Sequence, residues 1–432
     1  MPARARAGLE RGDLLPRVLV PPPGPESRRL AERITGAEAP VVNTLYGGEP
    51  SIVWREAVGS NVLDVDGNLY LDLASGFGVA AVGHRHPRVV AAVAGQADRL
   101  VHGMGDVASH PARIELAERL TRLAPVLDAR VHFAVSGSDA VEVALKTAWL
   151  ATGRPGLLAF EPAYHGSTLG ALAVTSRDAF RRPFEAQLNS HVARLPFGAE
   201  TADVDRVLAK GETAAVVVEP VLGREGVTPP PDGWLAELAA SCRRHGVLLV
   251  ADEIYTGFGR TGRWFACEAD GVEPDLLCCG KALGGGLPIA ATLGRADLMR
   301  HWDRGGEALH TATFLAHPLA CAAALATLDV IESEELVSRA ARLGKHVATW
   351  GEDVADLDAV AAVRGRGLAW TVELRPGSSA GAVARWAAER GLLLLAAGAR
   401  LQVAPPLVVT GEQLDFALET LGQLLDETRP AV

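Results

Sequence analysis

The chain has 432 residues, 48% of them hydrophobic and 22% charged, which excludes a disordered polymer and provides for a large core plus a smaller one. A net charge of −10 without a dense Lys/Arg block excludes nucleic acid or an anionic membrane as the main partner and points to a small molecule. Cys242, Cys267, Cys278, Cys279 and Cys321 form no CxxC pair and no zinc spacing; with no secretory signal and no span-length apolar run, they read as buried, reduced thiols of a cytoplasmic protein.

Residues 1–40 are rich in Pro and Arg, with PPPGP at 21–25, and read as an extended arm in which only 26–34 is helical. Between Pro50 and Ala74, apolar and polar residues alternate around the turn signals Gly59-Ser60 and Asp66-Gly67-Asn68, the pattern of an antiparallel meander. Helical periodicity follows at 87–100 and 111–123. From Val131 to Leu293, short β-rich runs at 131–136, 156–160, 214–220, 247–253 and 276–280 alternate with helical stretches. That alternation predicts an α/β fold with a mostly parallel central sheet covered by helices on both faces. The stretch 231–246 illustrates one of the helices: Asp232 is the expected cap, Trp234, Leu235, Leu238, Ala239 and Cys242 form the buried face, and Gly246 is the stop. The tail mixes helices with the short strands 368–374 and 392–396 and reads as a smaller α+β lobe. The expected division is an arm and meander at 1–75 belonging to the small domain, a large domain at 76–330, and the rest of the small domain at 331–432.

In a parallel sheet, ligands bind beyond the carboxyl ends of the strands, so the residues that follow each run are the candidates. Gly137 and Ser138 open a helix whose buried face is Val141, Ala144, Leu145 and Ala148; unpaired N–H groups there bind phosphate, although plain capping by Ser138 explains the same residues. Tyr164 and His165 precede Gly166 on a loop, where an aromatic ring either stacks on a flat heterocycle or packs into the core. Glu219 ends a strand, facing a ligand or pairing with an arginine. The run VLLVA delivers Asp252 and Glu253 to the sheet edge, where a buried aspartate can keep a pyridine nitrogen protonated. Lys281 lies between the apolar run 276–279 and Gly284–Gly286. Desolvation there lowers an amine from about 10.4 toward the range of a nucleophile, the alternative being a solvated lysine beside a flexible turn. Phosphate site, aromatic, aspartate and lysine come in an order that suits pyridoxal phosphate. His84 and His86 have no third ligand at metal spacing, so no metal is expected. Neither GFGRTG at 257–262 nor the triple glycine is a dinucleotide fingerprint.

The motifs DVDGNLYLDLASGFGVAAVGHRHP, SGSDAVEVALK, YHG, VVEPV, ADEIYTGFGRTG, PDLLCCGKALGGGLP and HTATFLAHPLACAAAL occur in one order between Ile52 and Val409. On them the chain resembles a class III, ω- or ornithine-type, aminotransferase of the fold type I pyridoxal-phosphate enzymes. The resemblance implies that Lys281 forms the Schiff base with pyridoxal phosphate and shuttles the proton, and that Asp252 pairs with the pyridine nitrogen. It further implies that Gly137 and Ser138 hold the phosphate, Tyr164 stacks on the ring beside His165, and Ile254 packs the opposite face. Thr313 matches a threonine that reaches the phosphate from the neighbouring subunit, which implies a homodimer with shared sites.

Phe77, Glu219 and Gln402 are the substrate residues that the resemblance implies. Gln402 occupies the place of an arginine usual in members that use glutamate, Leu222 that of a glutamine, and Leu315, Ala316 and His317 those of two glycines and an asparagine. Glutamate and 2-oxoglutarate are therefore expected to be poor partners beside pyruvate, alanine or an amine, unless Arg400, Arg260 or Arg85 replaces the missing arginine. The implied activity moves an amino group from an amine or amino acid to a keto acid or aldehyde by a ping-pong mechanism. The alternative on the same fold is a racemase, epimerase or aminomutase, against which GFGRTG after DEIYT favours transfer. An intact Lys281 and the lack of a DNA-binding module disfavour a non-catalytic binding protein.

Overall fold

The computed structural model describes residues 9–40 and 50–428, so that residues 1–8 of the expected arm lie outside the described residues. The chain forms two compact units, one running Pro87–Ala341 and one made from its two ends, up to His86 and from Arg342 onward.

The Pro87–Ala341 unit is built on seven strands: β1 (Ala129–Ala134), β2 (Gly156–Glu161), β3 (Val192–Pro196), β4 (Thr213–Val218), β5 (Leu248–Asp252), β6 (Leu276–Cys279) and β7 (Ala290–Arg295). Their order across the sheet is β1-β7-β6-β5-β4-β2-β3. All neighbours run parallel except β7, which is antiparallel to both β1 and β6. The mostly parallel α/β sheet that the alternation predicts is therefore present. Every residue of β4 and of β6 is buried, because helices cover both faces and leave no solvent side for polar residues to alternate onto.

Two strands have no counterpart among the β-rich runs. β3, VARLP, is an edge strand with no fully buried residue, so its sequence carries an arginine and a proline in place of a hydrophobic run. β7, AATLGR, is made of weak β formers and is fixed by its two partners.

Helix α1 (Gly137–Thr152) follows β1 and buries Val141, Ala144 and Ala148. Its cap is Ser136, whose Oγ accepts from Asp139 N at 3.2 Å, rather than Ser138. Helix α2 (Trp234–His245) buries Trp234, Leu235, Leu238, Ala239 and Cys242 and stops at Gly246, as its spacing predicts. It does not start from an Asp232 cap: Asp232 is exposed, and Gly233, with φ +75°, turns the chain into the helix without a side-chain cap. All five cysteines are free and buried.

In the other unit, Trp54–Val58, Asn61–Asp64 and Leu69–Asp72 form the expected antiparallel meander, with Leu392–Leu393 parallel on its edge. A second antiparallel sheet holds Val360–Arg366, Ala369–Leu374, Arg400–Val403 and Leu395–Ala397 in that order. The arm is tied down rather than loose: Leu14 N donates to Asn61 at 2.9 Å, Leu19 N to Asn68 at 2.7 Å, and Asp66 accepts from Glu26 N at 2.7 Å at the start of the helix Pro25–Thr35. His84 Nε2 lies 2.8 Å from buried Asp72, which gives it a place in this scaffold.

Leu277 is fully buried in β6, so Leu277→Ala removes buried apolar contacts and leaves a cavity. It is expected to destabilise the protein by about 2–5 kcal/mol, read from the urea midpoint at unchanged m-value.

Candidate active site

The carboxyl end of β5 delivers Asp252 into a buried position. Its Oδ2 lies 2.7 Å from His165 Nδ1, and its Oδ1 accepts from Ile254 N at 3.1 Å. Each carboxylate oxygen has two lone pairs, so both retain capacity for a further donor. His165 is held in turn, its backbone N–H donating to Thr175 Oγ1 at 3.0 Å. Burial opposes the imidazolium, but the hydrogen bond and charge of Asp252, with Glu219 behind it, outweigh that and raise the His165 pKa. Its Nε2 is buried with no partner among the described residues.

Lys281 follows β6 and opens a short 3₁₀ turn, Lys281–Gly284. Its φ of +37° is a left-handed conformation that costs a non-glycine residue energy, and such strain clusters at functional sites. The amine lies 5.4 Å from the centroid of the Tyr255 ring. Loss of water lowers its pKa and Arg224 adds to the effect, while Asp252 and Glu219 pull the other way. The lysine is therefore partly desolvated rather than free in solvent.

Glu219 follows β4 and is buried, accepting from Tyr164 N and Gly223 N, each at 2.9 Å. It forms no ion pair with an arginine among the described residues; both oxygens are bound to backbone instead. Burial is the main cause that pushes its pKa to about 7, and Asp252 adds to it.

At the start of α1, Ser138 Oγ accepts from Ser167 N at 3.2 Å and Thr168 N at 3.0 Å, which ties the loop after His165 to the helix terminus. Gly166 makes that approach possible: its φ is +126°, and a Cβ there would lie 2.4 Å from Ser138 Oγ. Gly137 is also close to Ile254, whose Cδ1 would be 2.9 Å from an added Cβ. Gly137, Ser138, Ile254, Asp252 and His165 are thus linked by direct contacts, with Tyr164 joined to them through Glu219 and its own neighbour His165.

Glu253, by contrast, is structural, accepting from Thr256 Oγ1 and from Cys267 N at 2.8 Å. Thr313 is exposed next to Phe314. Phe77 and Gln402 belong to the other unit, Phe77 half exposed in a tight turn with φ +63° and Gln402 buried on Arg400–Val403. There Arg400 lies 3.4 Å from Glu373, and Arg85 donates to Leu9 O. Both arginines thus already have partners within their own unit.

The sequence reading missed Arg224 and Tyr255. The guanidinium of Arg224 lies 4.8 Å from the Tyr164 ring centroid. Its only signal in the sequence is a cation between two glycines soon after the strand end at Glu219.

The sequence profile of the family described as Aminotransferase class-III matches residues 46–425. The chain belongs to the class III aminotransferases. The enzyme is 37% identical over 393 residues to the acetylornithine aminotransferase of Methanosarcina mazei, covering 91% of this chain and 96% of that protein. It is also 34% identical to the alanine/serine racemase of Pyrococcus horikoshii, over 96% of this chain and 93% of that protein. Among solved structures, the ω-transaminase of Pseudomonas jessenii in complex with PMP superposes with a TM-score of 0.86 at 27% identity, covering 92% of this chain and 98% of that one. The fold is fold type I, and the family's cofactor is pyridoxal phosphate. The residues present fit that group: a desolvated amine, a buried carboxylate with acceptor capacity left, and a helix terminus for an anion.

The Glu219 carboxyl holds its proton up to about pH 7 in the folded chain against 4.5 ordinarily, so between these values the native state binds more protons than the unfolded one. Stability then falls as pH rises through that window, by at most about 3 kcal/mol, and the raised His165 acts in the same direction. For cofactor-free protein, the loss in urea midpoint between about pH 5 and about pH 7.5 is expected to be smaller in Glu219→Gln than in wild type.

Proposed function

We propose that the enzyme moves an amino group from an amine or amino acid to a keto acid or aldehyde in two half-reactions at one site, the ping-pong order. The observation that carries this reading is the desolvated Lys281 amine in the field of Asp252, which His165 holds at the end of β5. Pyridoxal phosphate, when bound, supplies an electron-poor ring that accepts negative charge from the substrate carbon.

Lys281 is the residue we assign to covalent attachment of the cofactor and to proton movement, since its lowered pKa raises the neutral fraction that can attack or accept a proton. Asp252 is assigned to the pyridine nitrogen, and His165 keeps the carboxylate turned toward it. The first N–H groups of α1, at Gly137 and Ser138, are assigned to the phosphate, with Tyr164 and Ile254 on the two faces of the ring. Glu219 is assigned to the substrate side. Thr313 is assigned to the phosphate of a partner subunit in a homodimer, a reading supported by the exposed apolar side chains of Phe314, Leu309 and Met104. Five free, buried cysteines support a reducing, cytoplasmic setting.

The purified protein is expected to be yellow, and Lys281→Ala to lack the visible band of lysine-bound cofactor. A wild type that stays colourless with added pyridoxal phosphate would sink the assignment. An amino donor alone is expected to bleach the band until a keto acceptor is supplied, whereas an isomerase turns its substrate over without one.

Asp252→Asn keeps the shape but removes the charge, and is expected to lower kcat by about two to three orders of magnitude. Turnover within a few-fold of wild type would show that Asp252 does not face the cofactor.

A further inference from the structure

Arg224 stands in the turn Gly223–Gly226, five residues after Glu219, where Gly226 N donates to Gly223 O at 3.2 Å. Its guanidinium lies 4.8 Å from the centroid of Tyr164 and 5.8 Å from that of Phe180. Among the described residues it makes no hydrogen bond and no ion pair; these ring contacts are its surroundings. The acids beside it are committed elsewhere. Glu225 pairs with Arg177 at 2.9 Å, and Glu219 accepts from Tyr164 N and Gly223 N.

The turn is also seated on the reacting lysine's own surroundings. A Cβ on Gly223 would come 2.8 Å from Tyr255 Cδ1, and Tyr255 is the ring beside which the Lys281 amine lies at 5.4 Å. Tyr164, on which Arg224 rests, is fixed through its backbone N–H to Glu219. Arg224 therefore rests on the Tyr164 ring in a turn whose Gly223 packs on Tyr255, and its charge is felt at the Lys281 amine.

A guanidinium packed on a ring is held in orientation while its N–H donors, all in one plane, stay available at its edge. That fork matches a carboxylate by two parallel charge-assisted hydrogen bonds. A half-buried cation whose neighbouring acids are engaged by other groups is left to find its counter-charge in a ligand. We propose that Arg224 is the carboxylate anchor of the substrate, so that the partners of this enzyme are amino acids and keto acids rather than simple amines. The proposal rests on the aminotransferase reading above and names the chemistry of its substrates.

The test uses wild-type, R224K and R224Q holoenzymes. Binding of glutarate, an inert dicarboxylate, is measured by calorimetry. The half-reactions with alanine and with isopropylamine, in which a methyl replaces the carboxylate, are followed by the cofactor band. R224Q is expected to weaken glutarate binding by about tenfold to hundredfold and to lower the alanine-to-isopropylamine ratio of kcat/KM by a similar factor. R224K, a point charge without the fork, is expected to fall between the two. An intact visible band in R224Q shows that the fold and cofactor site survive; if R224Q does not fold, R224K decides. Glutarate binding within about threefold of wild type in the variants, or no glutarate binding by wild type, overturns the proposal. Failure of the aminotransferase reading looks different: no amino donor changes the wild-type band at all.

Discussion

A carboxylate buried at a strand end persists only if its oxygens are partnered, and the 2.7 Å contact between His165 and Asp252 meets that demand. Much of the site depends on it. His165 is positioned by Thr175, Asp252 by the backbone of Ile254, and Ile254 in turn packs against Gly137 at the start of α1. One hydrogen bond thus ties the end of β5, the loop after β2 and the helix after β1 into a single arrangement. The charge of Asp252 also acts on Lys281, raising a pKa that desolvation lowers more strongly. The net effect is a lowered pKa, which raises the neutral fraction of the amine.

The sheet explains why these residues meet. β2, β4, β5 and β6 run parallel, so Tyr164, Glu219, Asp252 and Lys281 all leave the sheet at one edge although some 117 residues of chain separate the first from the last. Close approach at that edge is paid for in backbone. Gly166 takes φ +126° to let its loop touch Ser138, and Lys281 takes φ +37° without the freedom of a glycine. Charge is distributed with equal economy: Glu219 is held by backbone N–H groups and Glu225 by Arg177, which leaves Arg224 without an ion pair among the described residues.

Legibility followed burial and local chemistry. The runs that became β4, β5 and β6 were readable because strands covered on both faces are continuously apolar. The edge strand β3 and the alanine-rich β7 were not, since the first has little burial to record and the second is specified by its neighbours. The helix start at Gly233 overrode the expected Asp232 cap because the chain enters through a left-handed turn that a side-chain cap does not describe. Ser136 rather than Ser138 caps α1 for a related reason: Ser138 Oγ is taken by N–H groups of a loop some 30 residues away.

The sequence by itself determined the fold class, the family and the set of groups at the strand ends, because hydrophobic period, glycine spacing and motif order are local properties written along the chain. Only the tertiary structure decided what each group touches. That Glu219 binds backbone instead of an arginine, that His165 and Asp252 share a hydrogen bond across 87 positions, and that Arg224 rests on Tyr164 are contacts between distant segments. Their physical cause is the parallel packing of strands that brings those segments to one edge, and no window of sequence contains both partners.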